Sequence, residues 1–372
     1  MRLRIERSAL LKSLAHVQNV VERRTTVPIL ANVKLDAADG ELALTATDLD
    51  VALTTSEPAE VERPGATTVP AQLFSELVRK LPEGAELLLE RAGGDAPLRV
   101  EAGRFHGELP TLPAEEFPVF GEEAFDVAFT IPAADLLRLF DKVRFAISTE
   151  ETRYYLNGVH LHPLVEGATS VLRGVATDGH RLARVEVPLP EGAAAMPGII
   201  VPRKTVGEVL KLVAESADGV EVAVSTSRIR FAVARRTLVS RLIDGQFPDY
   251  ERVIPKNNDR IARLETRSFA EAVDRVSTIS TERFRAVKLR FEGSTAVVSA
   301  VSPETGRAYE ELDVEYEGSP LEIGFNARYI LDILGEIEGE RLRMEMTSPA
   351  APALLRDPAD PGLLFVLMPM RV

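Results

Sequence analysis

The sequence predicts an α+β fold of three tandem domains, each with two helices packed on one face of antiparallel sheet. Three observations predict it. The chain has 372 residues and 45% hydrophobic content, enough for a sizeable core divided among two or three domains. Helical segments with one apolar face alternate with period-two runs that read as strands. The same order of features then recurs three times, about 125 residues apart.

The first unit opens with a helix over 8–21 that sets Leu10, Leu14 and Val17 on one face. Strands follow in "ANVKLDAADGELALTATDLDVALT", then a second helix over 69–81 in "VPAQLFSELVRKL". It closes with "AELLLERAGGDAPLRVEA" and "RFHGELPTL". The second unit repeats the plan: Leu136, Phe140 and Val143 on a helix over 132–148, strands in "VHLHPLVEGATSVLRGVATDGHRLARVEV", a helix over 201–214 in "VPRKTVGEVLKLV", and closing strands in "GVEVAVSTSRIRFAVARRTLVSRLI". In the third, Phe269, Val273 and Val276 mark a helix over 266–281, "AVKLRFEGSTAVVSAVSPETGRAYEELDVEY" gives strands, "FNARYILDILGEI" a helix over 325–336, and "RLRMEMTSPAAPALLRDPADPGLLFVLMPM" the closing strands. The centres echo one another as "LTATDLD", "GVATDGH" and "VSAVSPE". The patterns break at "EEFPVFGEEAF" and "VIPKNNDR", which sets domain boundaries at 1–122, 123–254 and 255–372.

Composition excludes several functions. With no cysteine, disulfides, thiolate catalysis and zinc–thiolate sites are absent. The start, "MRLRIERSALLK", alternates like a strand and lacks the apolar heart of a signal peptide, and no run approaches a membrane span, so a cytoplasmic protein without membrane contact is expected. A net charge of −13 argues against nucleic-acid binding over the whole surface, because phosphate affinity comes from Lys and Arg.

Domains joined through sheet edges leave an unpaired edge on the first and last unit. A head-to-tail homodimer would close those edges into a six-domain ring. The six helical segments together carry +4 and the remainder −17, so the helices read as a basic inner surface and the strands as an acidic outer one. That division suits a duplex threaded through the middle.

The densest cluster of chemistry-bearing residues is "TDGHRLAR", Thr177 to Arg184. Asp178-Gly179 is a hairpin dipeptide, so one reading is a plain turn with solvated His and Arg beside it. A hydrolase built around His180 needs a nucleophile motif, and none accompanies it. His160 and His162 alternate as metal ligands on a strand would, yet no carboxylate pair lies near them in sequence, and neither metal nor cofactor is expected.

Ten segments together resemble the bacterial beta sliding clamp family over the full length: "RRTTVPILANV", "TVPA", "LPAEEFP", "RYYLNGV", "ATDGHRLA", "VPRK", "DGQFPDYERVIPKN", "ERFRAV", "IGFNARYILDIL" and "MPMRV". The resemblance implies a homodimeric ring of clamp domains, loaded around double-stranded DNA by a clamp loader, that tethers polymerase and repair proteins and is not an enzyme. It implies a pocket for short, partly apolar peptides between the second and third domains. Carried over by motif, the lining comprises Leu156, Thr177, Gly179, His180, Arg181, Leu182, Pro248, Arg252, Val253, Val366, Met368, Pro369, Met370 and Arg371, with Ala350 and Pro352 counted onto the same face. Met and Pro suit such a surface, Met by adaptability and Pro because it is already ordered. For DNA the resemblance points to Arg24, and Arg153, Tyr154, Tyr155, Lys12, Arg79, Arg203 and Lys204 join it as phosphate donors, aromatic faces or helix-borne cations. Gln72 stands where some clamps carry a basic residue. The dimer edge is assigned to Phe105 on one side and Thr278, Ile279 and Phe284 on the other. A monomeric peptide-binding scaffold that has lost the ring is the remaining alternative.

Overall fold

The computed structural model describes residues 1–22, 25–94, 96–118, 120, 124–167, 169–214, 216, 219–280 and 285–371. Six α-helices occur among them: α1 (Arg7–Val17), α2 (Ala71–Lys80), α3 (Ala133–Arg144), α4 (Arg203–Ala214), α5 (Thr266–Ser277) and α6 (Ala327–Leu334). Each begins on the residue after a strand ends, with Glu6, Pro70, Pro132, Pro202, Glu265 and Asn326 closing those strands. Extended backbone at the junction lets a side chain turn back onto the first free N–H groups. Glu6 accepts from Ala9 N at 3.1 Å, and Asn326 from Arg328 N at 3.0 Å. The expected apolar triads on α1, α3 and α5 are all buried. The helices are shorter than the periodicity suggested; α1 stops at Val17 and α3 at Arg144, because the apolar residues beyond them pack from turns rather than from further helix.

The chain forms two compact units, one of Met1–Leu137, Pro190–Met196 and Lys204–Leu242, the other of Arg138–Leu189, Pro197–Arg203 and Ile243–Val372. In the first, an eight-stranded sheet has the order Val127–Pro132, Gly219–Val224, Arg228–Val233, Arg236–Arg241, Val51–Pro58, Glu41–Thr47, Asn32–Ala38, Gly65–Pro70. A five-stranded sheet runs Glu60–Arg63, Arg2–Glu6, Glu86–Glu90, Leu98–Ala102, Phe105–Leu109. In the second, nine strands follow the order Ile199–Pro202, Gly158–Glu166, Thr169–Thr177, Arg181–Pro188, Asp360–Leu367, Ala353–Asp357, Arg341–Met346, Arg260–Glu265, Glu315–Glu317. Its four-stranded sheet runs Gly306–Asp313, Thr295–Ser302, Ala286–Glu292, Leu321–Asn326. The large sheets thus join strands from different sequence repeats, Arg236–Arg241 to Val51–Pro58 and Asp360–Leu367 to Arg181–Pro188.

The repeat is visible at atomic detail. In the first unit Thr47 Oγ1 donates to Val51 O (2.9 Å) and accepts from Leu49 N (3.1 Å), while Asp48 Oδ1 accepts from Asp50 N and Val51 N. In the second Thr177 Oγ1 donates to Arg181 O (2.7 Å) and accepts from Gly179 N (3.1 Å), while Asp178 Oδ1 accepts from His180 N and Arg181 N. The third residue of each turn has a positive φ, 80° at Leu49 and 88° at Gly179. After the last strand of each repeat the chain makes one matching bond: Leu112 N to Thr68 O at 3.3 Å, Ile243 N to Ile200 O at 3.0 Å, and Met370 N to Gly324 O at 2.9 Å.

Candidate functional site

The second unit carries a cleft of about 310 Å³ whose floor is apolar. Leu156, Val175, Leu182, Ile200, Tyr250, Leu354, Leu364 and Val366 form one buried cluster, and Leu156, Leu182, Tyr250 and Val366 of that cluster line the cleft. Topology explains why they meet: Leu182 and Val366 are cross-strand partners, and the chain returning after Arg236–Arg241 lays Phe247 and Tyr250 over the same sheet. The rim is made by Thr177, Gly179, Pro248, Val253 and Met368, of which Val253 and Met368 are exposed hydrophobics. Beside it a second cleft of about 200 Å³ is lined by His180, Asn326, Tyr329, Met368, Pro369 and Met370. Met368 belongs to both, and its backbone N donates to His180 O at 2.9 Å. Two adjoining apolar depressions sharing a flexible thioether have the form to take spaced apolar side chains.

Arg181 borders the first cleft, yet its guanidinium is engaged inside the protein. It pairs with Asp178 Oδ2 (3.1 Å) and Asp332 Oδ2 (2.5 Å) and donates to Phe145 O (2.7 Å). It also lies 4.3 Å from the Tyr329 ring centroid. It braces the wall. Arg153, grouped in the sequence with DNA contacts, lines this cleft with Tyr155; its Nε and Nη2 bond the Glu150 carboxylate and its Nη2 reaches Asp178 O at 2.9 Å. The Glu150 carboxyl is held below its ordinary range, chiefly by the hydrogen bond from Arg153.

The hydrolase alternative fails on this geometry. Asp178 uses Oδ1 for the turn and Oδ2 for Arg181, Thr177 donates to a carbonyl, and the His180 ring stacks on Tyr329 at 6.2 Å. The Glu150 carboxylate, the acid that senses the His180 charge, is bonded to Arg153 instead. His160 and His162 stack on each other at 4.9 Å, and His160 on Phe247 at 4.7 Å. Among the described residues no group of three metal-ligating side chains is assembled.

The remaining expected residues are dispersed. Arg252 stands on the outer rim, paired with Asp249 at 2.6 Å. Ala350 and Pro352 line neither cleft; Pro352 O accepts from Asn258 Nδ2 at 3.1 Å, which fixes that turn to its own sheet. Arg371 lines a separate cleft of about 330 Å³ with Ser280, Lys288, Ser299 and Val301. Among the DNA candidates, Lys12, Gln72, Arg79 and Arg203 are exposed, and Tyr154 is exposed edge-on to Tyr155. Lys204 is committed to the Asp48 carboxylate and to Val20 O. Phe105 is half-buried on an edge strand, its ring folded over Gly107, where a Cβ would meet Cζ at 2.9 Å. Thr278 caps α5 and Ile279 follows it, half-buried. Arg24 and Phe284 lie outside the described residues. Sequence reasoning missed Tyr250 and Asp249 as cleft residues, although "EFPVF" and "QFPDY" repeat an aromatic at the matching place.

Three family models match the chain: the N-terminal domain of the DNA polymerase III beta subunit over residues 1–121, the central domain over 130–249 and the C-terminal domain over 251–371. The chain is 50% identical over 372 residues to a beta sliding clamp of Caulobacter vibrioides, covering 100% of both. It is 38% identical over 373 residues to the beta sliding clamp of Escherichia coli K12, again covering 100% of both. A crystal structure of the DNA polymerase sliding clamp from Caulobacter crescentus matches with a TM-score of 0.96 at 49% identity, covering 100% of each chain. A DnaN sliding clamp from Bartonella birtlesii bound to griselimycin matches with a TM-score of 0.97 at 46% identity, also covering 100% of each.

Proposed function

The chain belongs to the DNA polymerase III beta subunit family, the non-catalytic processivity factors called beta sliding clamps, and on that premise we propose that two copies close head to tail into a ring around double-stranded DNA and hold partners through the Met368 clefts. Each protomer contributes three clamp domains, 1–122, 123–254 and 255–372.

One observation carries the ring: the rule by which strands join. Twice, the fourth strand of one repeat pairs with the last strand of the next, Val51–Pro58 with Arg236–Arg241 and Arg181–Pro188 with Asp360–Leu367. The third repeat leaves its corresponding strand, Gly306–Asp313, as a sheet edge, and the first repeat leaves Phe105–Leu109 as one. A second copy satisfies both edges by the same rule. Register follows too. Ala52 and Leu182, opposite Thr47 and Thr177, pair across the junctions with Val239 and Val366. In the third repeat Arg307, opposite Val301, takes that place. Val239 stands three residues after the first residue of its hairpin strand, as Glu108 does after Phe105. Glu108 of one protomer therefore faces Arg307 of the other.

The cleft reading rests on apolar lining and an adaptable rim. Its ligands are short apolar peptide segments of the replicative polymerase, the clamp loader and repair proteins, at Leu156, Thr177, Gly179, Leu182, Pro248, Val253, Val366 and Met368. Exposed helix cations, Arg79 and Arg203 among them, supply sequence-independent phosphate contacts, since a clamp that read bases could not slide. Its place of action is the cytoplasm; no helix among the described residues is long and apolar enough to cross a membrane. The test is topological: after loading, the protein stays on nicked circular DNA and is lost rapidly once the circle is cut, whereas equal release from both forms overturns encirclement.

A further inference from the structure

Tyr250 in the cleft wall is joined to a polar chain whose other members, Arg173 and His162, do not line the cleft. Tyr250 is buried in the cleft wall, and its hydroxyl touches two groups: Arg173 Nη1 at 3.2 Å and His162 Nε2 at 2.9 Å. A carbonyl oxygen only accepts, so the proton of the neutral His162 ring sits on Nδ1, which faces Pro163 O; Nε2 is then an acceptor and takes the Tyr250 hydroxyl proton, while that hydroxyl accepts from Arg173. The Nδ1 to Pro163 O distance is 3.1 Å. The direction of every bond is fixed: Arg173 to Tyr250, Tyr250 to His162, His162 to a backbone carbonyl. Arg173 also pairs with Glu251 at 2.6 Å, tying down the short 3₁₀ turn Tyr250–Val253 whose far end is the exposed rim residue Val253.

We infer that Arg173 and His162 are positioning residues for peptide capture: their hydrogen-bond chain holds Tyr250 and the Tyr250–Val253 turn in the shape the cleft needs, and a proton on His162 breaks it. Doubly protonated, His162 presents an N–H to the hydroxyl that Arg173 already donates to, and the hydroxyl proton loses its acceptor. The charges facing His162 come from every layer against it. His160 is on its own strand, Arg173 on the next, Arg184 and Glu186 on the one after, and Glu251 on the turn. Burial is the largest cause holding His162 below its ordinary value of 6.5, with Arg173 and Arg184 acting in the same direction and Glu251 against them. At neutral pH the chain is intact. The inference rests on the peptide-cleft reading.

The test uses the full-length protein and a fluorescein-labelled synthetic peptide ending in Leu-Phe, followed by anisotropy. Arg173→Met and His162→Phe weaken binding about tenfold at neutral pH, because each strands a buried polar group at the wall. His162→Gln, whose amide oxygen can accept from Tyr250, restores affinity to within about twofold. Because His162 is held below its ordinary 6.5, the wild-type affinity is level down to that pH and falls only below it, whereas that of His162→Gln stays level throughout. Thermal midpoints and sedimentation of all three variants separate a lost cleft from a lost fold. Wild-type affinity in a folded His162→Phe, or an unchanged pH response in His162→Gln, overturns the positioning role while leaving the cleft reading in place. Failure of the wild type to bind the peptide at all overturns both.

Discussion

Arg181 Nη1 lies 2.5 Å from Asp332 Oδ2, and this contact fixes the turn Thr177–Arg181 to α6. The two residues are 151 positions apart. One comes from the strands of the middle repeat and the other from the last helix of the third, so the pair is a lock between sequence repeats.

Removing the Arg181 guanidinium leaves Asp178 and Asp332 without the cation that lies between their charges, at a site only partly open to water. Arg181→Met is expected to lower the stability of the second unit by about 2–4 kcal/mol. Asp332→Asn, which retains a hydrogen-bond acceptor on a half-exposed side chain, should cost about half as much. Urea unfolding of both variants checks the order; equal midpoints for Arg181→Met and wild type would remove the lock from the account.

Gly179 sits at a φ of 88°, and a Cβ there would run into the Arg153 guanidinium. Leu49 holds the matching turn of the first repeat at a φ of 80°, so the turn itself tolerates a side chain. What excludes one at Gly179 is Arg153 and the cleft. Gly179→Ala should therefore cost only about 1–2 kcal/mol of stability but displace Arg153 and weaken peptide binding measurably. Anisotropy against the same labelled peptide decides; full affinity would show that Arg153 can move without consequence.

These two turns also show how much the sequence revealed. The echo of "TATDLD" and "VATDGH" predicted a shared strand turn, and the two turns match bond for bond. Side-chain periodicity marked the first helix of each repeat, because burial of one face leaves a local signature, and the recurring segments marked the second. The engagement of Arg181 was invisible, since its partners Phe145, Tyr329 and Asp332 are distant in sequence and nothing local distinguishes a bracing guanidinium from a solvated one. Arg153 and Tyr155 were grouped with DNA for the same reason: their residue types suit phosphate, and only the fold sets them against Pro248 and Tyr250. Lys204 reads as a helix cation until Asp48 is seen beside it.

His160 supplies a pH dependence of stability. Burial, its largest cause, and the neighbouring His162 depress it from 6.5 to about 4. A histidine with a lower value folded than unfolded is neutral in both states above 6.5, so its contribution is fully present there. Below 6.5 the unfolded chain takes up the proton first, and stability drains away as the pH falls to about 4. The loss is expected to reach about 1.5–2.5 kcal/mol, allowing for the partly accessible ring. Urea midpoints at falling pH should decline less steeply for His160→Phe, which keeps the stack on Phe247 without the titrating group; parallel declines would assign the acid sensitivity elsewhere.

The ring closure can be tested at one residue pair. If the free edges join by the register of the two internal junctions, Glu108 of one protomer faces Arg307 of the other, once in each of two equivalent interfaces. Both side chains stand at sheet edges, and Glu108 pairs in its own chain with the solvent-exposed Arg99 at 3.1 Å. Glu108→Arg places two cations together and should weaken the dimer about tenfold at low salt, with the effect shrinking as salt is raised. Arg307→Glu should do the same with two anions. The double variant restores the attraction with its sign reversed, which no explanation based on general loss of fold reproduces. Sedimentation equilibrium provides the readout, since the dimer has twice the 40.7 kDa of the chain. If the charge swap fails to recover what either single change loses, the edges meet in another register. If all variants remain monomers alongside the wild type, a peptide-binding scaffold without a ring is the better description.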